Sequence, residues 1–174
     1  MSFSNYILVF SLLAVSSCRE REEARPEIQA PPEAVIRKQF MKANSQLLQK
    51  ENDEIDYYVR SHKMPFKRTE SGVRYFVYKP STAGDSIIPD MKVTMDYTVK
   101  LLDGTVCYSS SQDGRRSFVI EHDNIESGIH KGLQYLKRGD QALLIIPSHL
   151  AHGLLGDLNK IPPQSPIVYD VHIY

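Results

Sequence analysis

The sequence predicts an α+β fold, an antiparallel sheet with one helix on one face. Three observations carry this. Apolar and polar residues alternate along Gly72–Lys79, Met91–Leu101 and Pro166–Tyr174, the period of a half-buried strand. Between the strands, only Ile125, Ile129, Leu133 and Leu136 keep helical spacing. Strands do not alternate with helices, as a parallel sheet would require.

The elements follow in order. Residues 34–63 read as a helical segment ahead of the sheet. Ile36, Phe40, Ala43 and Leu47 share one face, and Asn52 or Asp53 is placed to cap a second short helix carrying Ile55, Tyr58 and Val59. The apolar stripe has two readings, packing on the chain's own domain or a dimer or partner surface, and the first is the default for a surface helix. Past Met64-Pro65 the period changes to two. Asp103-Gly104 marks a hairpin turn, because Asp-Gly takes the positive φ that a two-residue turn needs. The chain returns through Val106–Tyr108. Ser109–Arg116 is polar and reads as a loop or bulge, and Ser117–Ile120 as a short strand. About three turns of helix over Ile125–Leu136 end at Lys137-Arg138-Gly139, where cations suit the helix dipole and glycine the cap. Ala142–Ile146 is continuously apolar, a strand covered on both faces.

The N-terminus differs in kind. Tyr6–Val15 is an apolar run of ten residues, too short for a bilayer span of about 20 and suited to a signal-peptide core. It ends Val15-Ser16-Ser17-Cys18, which resembles the lipobox of bacterial lipoproteins. The resemblance implies a signal peptide over 1–17 and lipid on Cys18, anchoring the chain in a membrane of the cell envelope. A plain secretory signal with an incidental cysteine is the alternative. Residues 18–33, charged and proline-bearing, read as a tether. With Cys18 acylated, Cys107 has no partner for an internal disulfide.

Composition narrows the function. Lys+Arg and Asp+Glu both number 21 in 174 residues, so no net positive charge recommends a nucleic-acid partner. His149 and His152, with Asp157 beyond, are too few for zinc, and no metal is expected. The sequence holds no Gly-x-Ser-x-Gly elbow, no phosphate-cradling glycine loop and no dinucleotide fingerprint, so no nucleophile and no cofactor is implied.

Several motifs fall in order over residues 65–174: Thr69–Val73; Asp96-Tyr97-Thr98; Leu102–Thr105 with the serines after it; Gly128–Leu133; Lys137–Asp140; Ile146–Gly153; and Lys160–Val171. Together they resemble the FKBP-type peptidyl-prolyl isomerases. The resemblance implies a twisted antiparallel sheet wrapped around one short helix, acting on Xaa-Pro segments of client proteins. It implies a pocket walled by Tyr97, Phe118, Ile125, Ile129, Ile161 and Tyr169. His152 stands where the family usually has a tyrosine whose hydroxyl bonds the substrate carbonyl; a ring N–H would take over that role. Ile129 stands where some members place tryptophan. The layout of lipobox, tether, helix and terminal domain is similar to the gliding-motility-associated FKBP-type lipoproteins of Bacteroidetes.

Cys107 and Tyr108 depart from the family, which typically has Phe-Asp at these places. The first change removes apolar wall area, worth about 25 cal/mol per Å² uncovered. The second is expected to remove a negative charge from the pocket edge. Both point to weaker inhibitor binding and weakened or altered isomerase activity. A non-catalytic binding or chaperone module on the same fold is therefore the rival reading.

Overall fold

The computed structural model describes residues 32–174. The expected signal peptide, Cys18 and nearly all of the expected tether lie outside the described residues. Helix α1 (Glu33–His62) precedes strands β1 (Lys67–Arg68), β2 (Arg74–Lys79), β3 (Lys92–Leu101) and β4 (Val106–Ser109). Then come a one-turn helix α2 (Ser110–Asp113), β5 (Arg116–Val119), helix α3 (Ser127–Leu133), β6 (Gln141–Ile146), a 3-10 turn (Ser148–Leu150) and β7 (Ile167–Ile173). Every strand pairing is antiparallel, in the order β1-β2-β6-β7-β3-β4 with β5 also on β3.

The sheet has cover on both faces. On one face Leu144 and Ile146 of β6, Tyr169 and Val171 of β7 and the alternate residues Val93, Met95, Tyr97 and Val99 of β3 meet Ile129 and Leu133 of α3. On the other, Ile145 and Val168 meet Ile55 of α1, with Tyr58, Val59 and Leu143 beside them. This explains why Ala142–Ile146 is apolar at both parities of the strand period: two helices cover one strand. Helix α3 sits close because it carries glycines. A β-carbon on Gly128 would stand 2.1 Å from Ile146 Cγ2.

The structure corrects four sequence expectations. First, α1 is one helix of 30 residues with no break at Asn52. The Asn52 side chain does not cap: its Nδ2 donates to the Leu48 carbonyl at 2.9 Å and its Oδ1 accepts from Arg74 Nη2 at 3.1 Å. The helix ends where Lys63 turns left-handed (φ 53°) ahead of Pro65.

Second, the stripe Ile36, Phe40, Ala43 and Leu47 does not pack on the domain. Phe40 is 72% exposed and Leu47 42%. The helix docks through its second half instead. Arg74, buried in the sheet, donates through Nε and Nη2 to Asp56 Oδ1 at 3.1 and 2.6 Å. Glu51, also buried, accepts from Ser148 N–H and, at 2.7 Å, from Ser148 Oγ. Buried charges persist where such partners exist, and these docking residues interrupt the apolar stripe with polar letters.

Third, Ser109–Arg116 is not simply a loop. Ser109 ends β4, and α2 bulges out between β4 and β5, which pair with different lengths of β3. Where the ladder is interrupted, Ser110 Oγ accepts from Tyr97 N–H at 3.1 Å. Fourth, α3 has seven residues, not three turns. Ile125 precedes it in a turn, and Leu136 follows through tighter i→i−3 bonds, its N–H donating to Leu133 O.

Candidate functional site

The residues expected at the pocket converge from five elements. Tyr97 comes from β3, Cys107 from β4, Phe118 from β5, Ile129 from α3 and Tyr169 from β7. With Ile161, from the loop after β6, they lie in one apolar cluster, each 5% exposed or less. Ile125 and Tyr108 pack against it half-buried. The Tyr97 and Tyr169 rings lie 6.2 Å apart, tilted by 44°. Phe118 meets the edge of His130 at 6.0 Å. His130 is held in turn: its Nδ1 accepts from Glu121 N–H at 3.0 Å, and Nε2 donates to Asp123 O at 3.0 Å.

His152 lies outside the apolar cluster, half-buried, its Nε2 3.3 Å from Glu126 Oε1. Glu126, immediately before α3, is the residue that sequence reasoning missed. Its side chain is only 9% exposed. Tyr169 donates its hydroxyl proton to Glu126 Oε1 at 2.7 Å, and Arg116 Nη1 donates to Oε2 at 3.3 Å. Arg116 also lies over the Tyr97 ring, 5.1 Å from its centroid. One carboxylate thus links β5, β7 and the loop after β6. Burial pushes the Tyr169 phenol well above its ordinary value, and the Glu126 charge adds to the effect. Burial opposes the charge on Arg116, but Tyr169, Glu126 and Tyr97 outweigh it and raise its pKa. The signal for Glu126 was faint in sequence, a single acidic letter between Ile125 and the glycines of α3.

Asp157 is the second omission. Burial works against its charge, yet four partners lower its pKa: the Tyr108 hydroxyl, the N–H groups of Ile161 and Asn159, and the nearby His152. Tyr108 donates to Oδ2, while the N–H groups of Ile161 and Asn159 donate to Oδ1 at 2.7 and 2.9 Å. This amends the expectation about Tyr108. A carboxylate does stand beside Tyr108, supplied by Asp157 across a hydrogen bond and committed to holding the loop. Cys107 is packed with its thiol toward the carbonyl oxygens of Lys160 (3.6 Å) and Thr105 (3.8 Å). Burial, with Asp157 and Asp103 near, pushes that thiol up, so it stays protonated and unreactive. Among the described residues no three His, Cys, Asp or Glu side chains gather as a metal site.

A curved antiparallel sheet packed on a short helix, with aromatic rings buried between them, defines an α+β domain in whose apolar core the expected site residues lie together. The model of the FKBP-type peptidyl-prolyl cis-trans isomerase family matches residues 84–174, and the chain belongs to this family. It is 36% identical over 107 residues to a probable FKBP-type peptidyl-prolyl cis-trans isomerase FkpA of Neisseria meningitidis, covering 62% of this chain and 39% of that protein. It is 33% identical over 107 residues to a probable enzyme of the same type from Haemophilus influenzae, covering 62% of this chain and 44% of that one. The chain thus spans about two fifths of the length of these curated relatives. Among solved structures, FkpA from Escherichia coli is similar with a TM-score of 0.61 and 27% identity, over 80% of this chain and 67% of that chain. A peptidyl-prolyl cis-trans isomerase from Pseudomonas syringae is similar with a TM-score of 0.63 and 25% identity, over 74% and 92%.

Proposed function

We propose that this chain is a peptidyl-prolyl cis-trans isomerase acting on Xaa-Pro segments of exported client proteins. The observation that carries the reading is the convergence of Tyr97, Phe118, Ile129, Ile161 and Tyr169 in one apolar cluster within a family domain. The barrier to amide rotation is about 18–20 kcal/mol, because the planar peptide loses its resonance on twisting. The twisted amide has less charge separation than the planar one. An apolar wall therefore favours it relative to water, and no nucleophile is needed. In this reading Tyr97, Phe118, Ile125, Ile129, Ile161 and Tyr169 enclose the proline ring. His152 supplies a ring N–H to the distorted carbonyl. Uncatalysed isomerisation takes tens of seconds or more, slow enough to limit the folding of a client.

The test is exchange spectroscopy on a short Leu-Pro peptide. The chain is expected to accelerate cis–trans exchange measurably at substoichiometric concentration. No acceleration at equimolar protein would sink the enzymatic reading. The rival, a non-catalytic FKBP-fold binding or chaperone module of an envelope or motility complex, is favoured by one specific observation: charged Glu126 and Arg116 stand at the rim of the apolar site. Peptide binding without acceleration would select it.

We further propose that lipid on Cys18 anchors the protein in the cell envelope, facing the periplasm or the cell surface, where it serves gliding motility. The support is the Val15–Cys18 motif and the order of signal, tether, helix and terminal domain. Cys18→Ser is expected to move the protein from the membrane to the soluble fraction of cells. Retention in the membrane would refute the anchor.

A further inference from the structure

The expected pocket residues are almost entirely closed to solvent, and Glu126 is what closes the side bounded by Tyr169. Tyr169 is 1% exposed, Tyr97 5% and Phe118 3%. A proline ring needs the faces of these side chains. The Glu126 carboxylate holds three groups around them: the Tyr169 hydroxyl at 2.7 Å, Arg116 Nη1 at 3.3 Å and His152 Nε2 at 3.3 Å. Arg116 in turn lies over the Tyr97 ring. These contacts draw β5, β7 and the His152 loop together across the site. They also engage His152 Nε2.

We propose that Glu126 is a positioning residue that latches the proline site, and that an Xaa-Pro segment enters only as the carboxylate leaves Tyr169 and His152. This rests on the isomerase reading of the same pocket. Displacing Glu126 frees His152 Nε2 for the substrate carbonyl and uncovers the Tyr169 ring. The latch sets affinity: a site open for a fraction f of the time binds with an apparent Kd raised by 1/f. It leaves the chemical step, which begins once the segment is seated, nearly unchanged. A hydrogen bond to a charged group of this kind is strong enough to hold the open form to about one molecule in ten.

The experiment uses the Leu-Pro peptide and three variants: Glu126→Ala, the isosteric Glu126→Gln and Tyr169→Phe, which removes only the hydroxyl. Kd is read from peptide titrations followed on the methyl signals of Ile125 and Ile129. KM and kcat are read separately from exchange spectroscopy. Glu126→Ala is expected to lower Kd and KM about tenfold with kcat changed by less than about twofold. Tyr169→Phe and Glu126→Gln should shift Kd the same way, by a few-fold. Should Glu126→Ala not fold, Glu126→Gln decides on the same criterion. Unchanged or weaker binding in the folded variants overturns the latch. So does a fall in kcat at constant Kd, which would make Glu126 part of the chemical step. A variant that binds more tightly than the parent chain but accelerates nothing upholds the latch and removes the isomerase reading. If neither parent nor variants bind peptide, the latch falls.

Discussion

Replacing Gly128 by alanine is expected to lower the melting temperature by about 5 °C or more. The added β-carbon would stand 2.1 Å from Ile146 Cγ2 and 3.0 Å from the Leu150 carbonyl oxygen. Ile146 is fully buried at the end of β6, and its branched β-carbon leaves the methyl little room to move. Such overpacking costs roughly 3 kcal/mol. Alanine gains at most about 1 kcal/mol of helix propensity over glycine, so the clash wins. The same substitution at Gly132 is the control. There the nearest atoms are Leu144 and Val73 methyls at 3.2–3.3 Å, which need give only a few tenths of an ångström. Thermal melts of both variants check the argument, and equal melting temperatures for the two would refute it. The consequence reaches the apolar cluster, because Ile129 is the next residue and packs with Tyr97 and Tyr169 only if α3 lies this close to β6.

Ile55→Ala is expected to loosen α1 from the sheet. Ile55 is fully buried and meets Ile145 and Val168, which are contributed by β6 and β7. Truncating a buried isoleucine costs about 2–5 kcal/mol, made up of lost transfer free energy and the cavity left behind. The polar contacts that frame it then lose their support. Arg74 is 2% exposed and its guanidinium depends on Asp56 and Asn52, both from α1. Amide hydrogen exchange is the suitable measurement. Protection in residues 50–62 should fall by a factor of about thirty or more, since about 2 kcal/mol of local stability is at stake. Unchanged protection there would mean that the polar contacts of Glu51, Asn52 and Asp56 alone hold the helix.

The strands were legible in the sequence because one face of each is buried. The alternation along β3 places Val93, Met95, Tyr97 and Val99 inward and leaves Thr94, Asp96 and Thr98 half-exposed. The hairpin was legible for a different reason, the positive φ of Gly104, although Asp103 does not share it and four residues, not two, separate β3 from β4. What sequence could not show is docking by charge. Glu51, Asn52, Asp56 and Arg74 read as ordinary surface letters, yet they join the helix to the sheet, while the apolar stripe ahead of them stays in solvent. Periodicity measures how apolar a face is and says nothing about which length of a helix finds a partner. The apolar cluster of Tyr97, Phe118 and Tyr169 was legible for the same reason as the strands. Glu126 and Asp157 escaped because each acts through partners distant in sequence: Tyr169 is 43 residues from Glu126, and Tyr108 is 49 from Asp157. The weight given to Cys107 and Tyr108 changes accordingly. Cys107 is a packed core residue, and Tyr108 holds the loop that ends at Ile161.

The unbroken course of α1 has a mechanical consequence. Its docked half is clamped at Glu51, Ile55 and Asp56, whereas residues 33–50 are exposed but for half-buried Ile36 and Leu48. At 1.5 Å per residue that free portion is a strut roughly 25 Å long. A strut differs from a string: it transmits direction as well as distance. Whatever holds the chain at its Glu33 end also fixes the compass bearing of the sheet, so the domain presents a chosen side instead of sweeping a sphere.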